Sequence, residues 1–289
     1  MRAIDKLLIV LVLVLLAVEI AGRTSPVRDD PLKGRRPLPP VAEAPGIPNL
    51  SPPRVRRPPL AAPRETDTPF VVVTERPTQS TIGTAFAVDD RTWMTARHVI
   101  QDCPRLSLFR RGEAVATANV AFAHPTADLG ILESERGGAP IQFESRALTV
   151  EEDGYLVGFP HGAIGAGYFQ LLGRSRMQIH GWMTGGSPAL SWAEVRRFPE
   201  SLESLGGMSG GPMVDEDGRL VGVMVAASIR RGRADTVAPE VIAEVRKDRL
   251  RNGVRASPLA EVSQGAEKLE QIAHSVVDQR RVGLVYCGR

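Results

Sequence analysis

Gly206-Gly207-Met208-Ser209-Gly210-Gly211-Pro212 sets a single hydroxyl inside a run of glycines. A serine hydroxyl is a poor nucleophile at neutral pH, so it needs a base within hydrogen-bond reach and a buried carboxylate to fix that base's tautomer. Two upstream stretches offer them in order: Thr95-Ala96-Arg97-His98 and Ala127-Asp128-Leu129-Gly130-Ile131-Leu132. Histidine titrates at roughly 6.5, so His98 can take the Ser209 proton during attack and return it to a leaving group. Asp128 then accepts from the other ring nitrogen. Backbone N–H groups aimed at a developing oxyanion stabilise it by about 3 to 4 kcal/mol per donor. The candidate donors are Gly207 and Ser209, and glycine at 207 permits the backbone angles that turn an N–H inward.

Around these stretches the sequence reads as short strands separated by glycine-rich and charged turns. The first set is Phe70 to Thr74, Thr81 to Val88, Thr92 to Thr95, Leu106 to Arg110, Ala114 to Ala123 and Leu129 to Glu133. The second is Tyr155 to Phe159, Tyr168 to Arg174, Met177 to Trp182, Ala189 to Arg196, and a hairpin from Met213 to Ala226 turning at Asp215-Glu216-Asp217-Gly218. Such spacing predicts an all-β fold. His98 opens a short helical turn after the Asp89-Asp90-Arg91 hairpin. Leu259, Val262, Ala266, Leu269, Ala273 and Val276 recur at helical spacing, which predicts a C-terminal amphipathic helix packed on the core.

The His, Asp and Ser segments resemble the motifs of the trypsin-like (chymotrypsin-fold) serine peptidases over roughly residues 70 to 245. Gly-Thr-Ala-Phe-Ala-Val at 83–88, Val157-Gly158-Phe159-Pro160 and Leu220-Val221-Gly222-Val223 resemble the bacterial members, including HtrA-type protease cores. The resemblance implies two packed antiparallel β-barrels, split near residue 145, with His98 and Asp128 on the first and Ser209 on the second. It implies a serine-type endopeptidase acting on protein or peptide substrates, with no cofactor. Met208 stands where trypsin-like zymogens carry an aspartate, so activation by a new amino terminus is not expected. The residues after 245 are too few for the PDZ domain that HtrA-type members carry.

By the same resemblance, Glu203, six residues before Ser209, falls at the base of the primary specificity pocket and implies a basic side chain before the scissile bond. Ala226 and Ala227 match the segment that pairs with extended substrate backbone, a main-chain β-augmentation. The alternative function is a catalytically quiescent fold of this type acting as a binding module or scaffold. An esterase of different fold is disfavoured by the order His, Asp, Ser, since α/β-hydrolases run Ser, Asp, His.

The expected organisation is a signal segment at 1–22, a linker at 23–68, a peptidase domain at 69–250 and a helical extension at 251–289. Residues 7–18 are uninterrupted apolar residues behind Arg2 and Lys6, which suits either a signal anchor or a cleaved signal peptide. Arg23, Arg28, Lys33, Arg35 and Arg36 outnumber the basic residues ahead of that run, and a positive-inside count would face the enzyme to the cytoplasm. A short charged start before an apolar run nevertheless matches a secretory signal. The expected location is therefore the cell envelope, anchored in the inner membrane and facing the periplasm, or outside the cell if the signal is cleaved.

Between Arg23 and Thr68 lie 12 of the 23 prolines and no aromatic residue, a composition that predicts a disordered, partly polyproline II tether. That stretch holds nine Lys or Arg against five Asp or Glu, while the whole chain carries a net charge of +3. The folded part is thus near neutral and has no bulk electrostatic case for nucleic acid. His124, His161, His180 and His274 show no metal-ligand spacing. Cys103 and Cys287 pair in an oxidising compartment or remain two reduced thiols. Oligomeric state is open at this level.

Overall fold

The protein's computed structural model describes residues 58–110, 113–251 and 254–289. The apolar segment at 1–22 and the tether as far as residue 57 lie outside the described residues. Among the described residues no helix is long and apolar enough to cross a membrane.

The chain builds two β-barrels, as expected of a chymotrypsin-like fold. In the first, β2 (Thr81–Ala87), β3 (Thr92–Thr95), β4 (Arg105–Arg110), β5 (Glu113–Ala123) and β6 (Gly130–Ser134) close through β13 (Val282–Gly288) in the order β13-β2-β3-β6-β5-β4. The second contains β7 (Asp153–Gly158), β8 (Gly165–Gly181), β9 (Gly185–Phe198), β10 (Pro212–Val214), β11 (Leu220–Ser228) and β12 (Arg233–Val237). Its order is β8-β7-β10-β11-β12-β9, and β9 also pairs with β8, so these strands form a ring.

Burial explains the strand assignments. β2 is buried on both faces over its last five residues, and β11 over its first six. Leu156, Phe169, Leu171, Trp192, Met213, Val221 and Met224 fill the second barrel with Met208. The predicted hairpin at 215–218 forms. Gly218 N–H donates to Asp215 O at 2.9 Å, and Gly218 takes a positive φ of 75°.

Several expectations are corrected. β1 (Pro69–Thr74) is not part of the first barrel; it adds in parallel to the distal half of β8, so the β structure is not wholly antiparallel. Residues 168–181, read within two strands, belong to one long β8, which bends at register shifts near Tyr168 and Leu171. The stretch 58–68 was assigned to the unpacked tether, yet it lies on the second barrel. Leu60 packs against that barrel's core, its N–H donates to Leu148 O at 2.7 Å, and Glu65 pairs with Arg176.

The C-terminal region departs most from expectation. An unforeseen helix, α2 (Pro239–Arg249), follows β12, whereas α1 is the short turn Arg97–Ile100 that carries His98. The expected helix from 259 to 277 is broken: Gly265, at φ 90°, separates two 3-10 turns, and only α3 (Leu269–Asp278) is regular. α3 buries Leu269, Ile272, Ala273, Val276 and Val277, as its amphipathic spacing requires. The chain then returns as β13, between β2 and β4, so the final residues complete the first barrel rather than extend from it. Cys287 on β13 is disulfide-bonded to Cys103, with Cα atoms 5.7 Å apart.

Candidate active site

His98 and Asp128 meet at the end of the first barrel. β3 delivers the chain to α1, and β6 is preceded by the turn that carries Asp128. The carboxylate spends both oxygens on one residue: Oδ1 accepts the His98 backbone N–H at 2.8 Å, and Oδ2 lies 2.6 Å from His98 Nδ1. Asp128 is 1 % exposed and the His98 side chain 29 %. The ring is therefore anchored on its buried side and open on the other. With Nδ1 facing a carboxylate, the neutral ring carries its proton there and leaves Nε2 as the acceptor.

The electrostatics follow from this pairing. Burial by itself pulls the His98 pKa down, but the charge of Asp128 and the hydrogen bond to it outweigh burial and leave it above the ordinary 6.5, against a smaller opposing effect of Arg97. For Asp128 burial pushes upward. The His98 charge, its side-chain and backbone hydrogen bonds, and Arg97 together bring the carboxyl below its ordinary value.

Arg97, whose role the sequence did not disclose, holds the Asp128 turn in place. Its guanidinium donates through Nη1 to His124 O at 2.7 Å and Pro125 O at 2.8 Å, and through Nη2 to Thr184 O at 3.0 Å, between β8 and β9 of the other barrel. The planar fork suits several carbonyls at once. His124 is structural: its Nδ1 accepts from the Ala127 and Thr126 N–H groups, and burial lowers its pKa.

Ser209 sits in the turn between Leu205 and β10. Gly207 takes φ 97°, and a Cβ there would lie 2.4 Å from Phe159 O. Gly210, at φ 86°, would drive a Cβ to 2.2 Å from both Thr84 O and Thr95 Oγ1. Only glycine meets both demands, the left-handed angles and the close approach. The N–H groups of Gly207 and Ser209 donate to no group among the described residues, whereas those of Met208, Gly210 and Gly211 donate to Leu205 O, Met224 O and Met208 O. Met208 is completely buried in the core of the second barrel, so the position that holds a carboxylate in zymogens holds a packing residue here. No hydrogen bond joins Ser209 Oγ to the His98 ring among the described residues; contacts of this kind commonly tighten when substrate binds.

The remaining candidates are placed as follows. Glu203 is exposed on the loop before Ser209, and Ser204 beside it hydrogen-bonds His161 Nε2 at 2.7 Å. Ala226 is half-buried and Ala227 exposed, near the end of β11. There β11 pairs with β12 on one side, while β10 on the other reaches only to Val223, so no strand among the described residues occupies the backbone edge at 226–228. No cluster of His, Cys, Asp and Glu suited to a metal ion occurs among the described residues.

Comparison with known proteins agrees with the fold. Residues 83–223 match the family model of the trypsin-like peptidase domain. The chain is 29 % identical over 160 residues to the uncharacterized protein y4bJ of Sinorhizobium fredii, covering 53 % of this chain and 23 % of that protein. It thus spans about a quarter of that relative's length. Among solved structures, the active form of the Rv3671c protease from M. tuberculosis superposes with a TM-score of 0.50 at 16 % identity, over 68 % of this chain and 96 % of that one. The HtrA-type protease AlgW, solved with a decapeptide, gives a TM-score of 0.46 at 17 % identity, over 59 % of this chain and 52 % of that one. The two-barrel fold and the family match agree, and residues 83–223 are similar to the trypsin-like peptidase domain.

Proposed function

We propose that the protein is a serine endopeptidase that hydrolyses peptide bonds through an acyl-enzyme on Ser209. The observation that carries this reading is the commitment of both Asp128 oxygens to His98, which fixes the ring and its tautomer. Ser209 Oγ attacks the scissile carbonyl carbon as His98 Nε2 takes its proton, and the oxyanion is met by the Gly207 and Ser209 N–H groups. Collapse breaks the C–N bond, and His98 returns the proton to the departing amine. Water then repeats the sequence on the acyl group, regenerating Ser209. The open edge of β11 at Ala226 and Ala227 supports pairing with an extended substrate.

Labelling with a fluorophosphonate tests the reading. Covalent modification of the intact protein and none of Ser209→Ala is the expected result; no modification of either supports the alternative, a quiescent fold used as a binding module. The missing Ser209–His98 hydrogen bond is the one observation in favour of that alternative. A preference for Lys or Arg before the scissile bond accompanies the proposal through Glu203. Because an exposed carboxylate is strongly screened, the preference is expected to be only a few-fold. A peptide-library cleavage profile showing equal cleavage after basic and neutral residues would remove Glu203 from substrate recognition.

The proposed setting is the cell envelope, membrane-tethered or exported. The Cys103–Cys287 disulfide supports it, since such bonds persist in oxidising compartments. Fractionation of cells expressing the full chain checks the placement, and recovery in the cytosol with two alkylatable thiols would overturn it.

A further inference from the structure

Resting on the peptidase reading above, we infer that Thr84 of the first barrel is the positioning residue that orders the oxyanion donor Gly207. A glycine at positive φ has no Cβ to hold its peptides in place, so the orientation of its N–H has to be imposed by neighbours. In this chain a buried methionine replaces the carboxylate that would otherwise tie the turn down. Three carbonyls of the turn are instead fastened from outside. The Gly206 carbonyl accepts the His161 N–H at 2.7 Å, the Gly207 carbonyl accepts the Thr84 hydroxyl at 2.8 Å, and the Ser209 carbonyl accepts the Thr84 N–H at 2.8 Å. Two of these donors belong to one residue.

Thr84 suits this role because nothing about it is free to move. It is completely buried, and its hydroxyl accepts the Phe159 N–H at 3.1 Å. A hydroxyl has one proton to give, and with Phe159 donating to the oxygen that proton goes to Gly207 O. The Thr84 carbonyl in turn accepts Thr95 Oγ1 at 2.6 Å, on the strand that leads to His98. One residue thereby connects three places: its β-branched side chain, restricted in χ1, joins the turn at 159–161 to the nucleophile turn, and its backbone carbonyl reaches the base-bearing strand. In a trans peptide the N–H points opposite to the carbonyl. Holding Gly206 O on His161 therefore directs the Gly207 N–H away from the 160–162 turn, and holding Gly207 O on Thr84 stops the next peptide from rotating to relieve it.

The test compares Thr84→Val, which keeps shape and removes the hydroxyl, with Thr84→Ser, which keeps the hydroxyl. Loss of an oxyanion donor lowers kcat by about 100-fold or more. Thr84→Val is expected to show a fall of that order with KM changed only a few-fold, and Thr84→Ser to restore kcat to within about ten-fold of wild type. A kcat for folded Thr84→Val within about three-fold of wild type, or a Thr84→Ser enzyme as slow as the valine variant, overturns the inference. A crystal structure of the unliganded wild-type protein tests it without any variant: the Gly206–Gly207 peptide is expected to keep its carbonyl on His161, and a reversed peptide overturns the assignment. That structural arm also separates the two ideas, because a wild-type protein inert to fluorophosphonate sinks the peptidase reading while leaving the peptide orientation to be decided by the crystal.

Discussion

The chemistry at Asp128 shows how a single carboxylate can do two jobs. One oxygen caps the helical turn through the His98 N–H, and the other fixes the imidazole. Substituting asparagine keeps the size but removes the charge and can impose the wrong tautomer, so Asp128→Asn is expected to lower kcat by on the order of 10⁴-fold. The pH profile has a definite sign. The base must be neutral to act, and Asp128 raises the His98 pKa above 6.5; activity therefore falls as pH drops through a value above 6.5. In Asp128→Asn the upward contribution is gone while burial still acts downward, so the acid limb of kcat/KM shifts to lower pH. A limb that stays in place across the two enzymes would show that Asp128 does not set the charge state of His98.

Individual elements reveal why some of the architecture was legible and some was not. The strands around His98 and the hairpin at 215–218 announce themselves, because alternation, β-branched residues and an Asp-Gly turn are local signals. α2 carried a readable signal as well: Pro239 at its first turn and Val241, Ile242 and Val245 on its buried side. β13 is different. Val282 to Gly288 has the composition of a strand, but its partners β2 and β4 lie far away in the sequence, and nothing local says that it completes a barrel. The same holds for residues 58–68, whose proline content describes a tether while Leu60 and Glu65 find specific partners. Arg97 and Thr84 were present in the quoted motifs, yet their roles exist only once carbonyls from distant turns converge on them.

At the scale of the whole molecule, the disulfide joins the turn after α1 to the last strand across a sequence separation of 184 residues. Closing so long a loop restricts the unfolded chain, and a native bridge of this kind contributes roughly 2 to 4 kcal/mol. Denaturant titration of the oxidised protein against the Cys103→Ser variant is expected to show a lower midpoint for the variant, corresponding to that loss of unfolding free energy; equal midpoints would mean that β13 is held by its sheet partners alone.

The sequence by itself determined the all-β class and singled out the candidate nucleophile, base and carboxylate, because each rests on residue type, order and short-range periodicity. It left open whether Cys103 and Cys287 are joined, where the last strand goes, and what orders Gly207. Tertiary structure alone settled the first two, and it supplies the contact on which the inference about the third rests. A barrel closes by pairing strands without regard to their separation along the chain, and the hydroxyl that meets the Gly207 carbonyl comes from 123 residues away, with its single proton committed there.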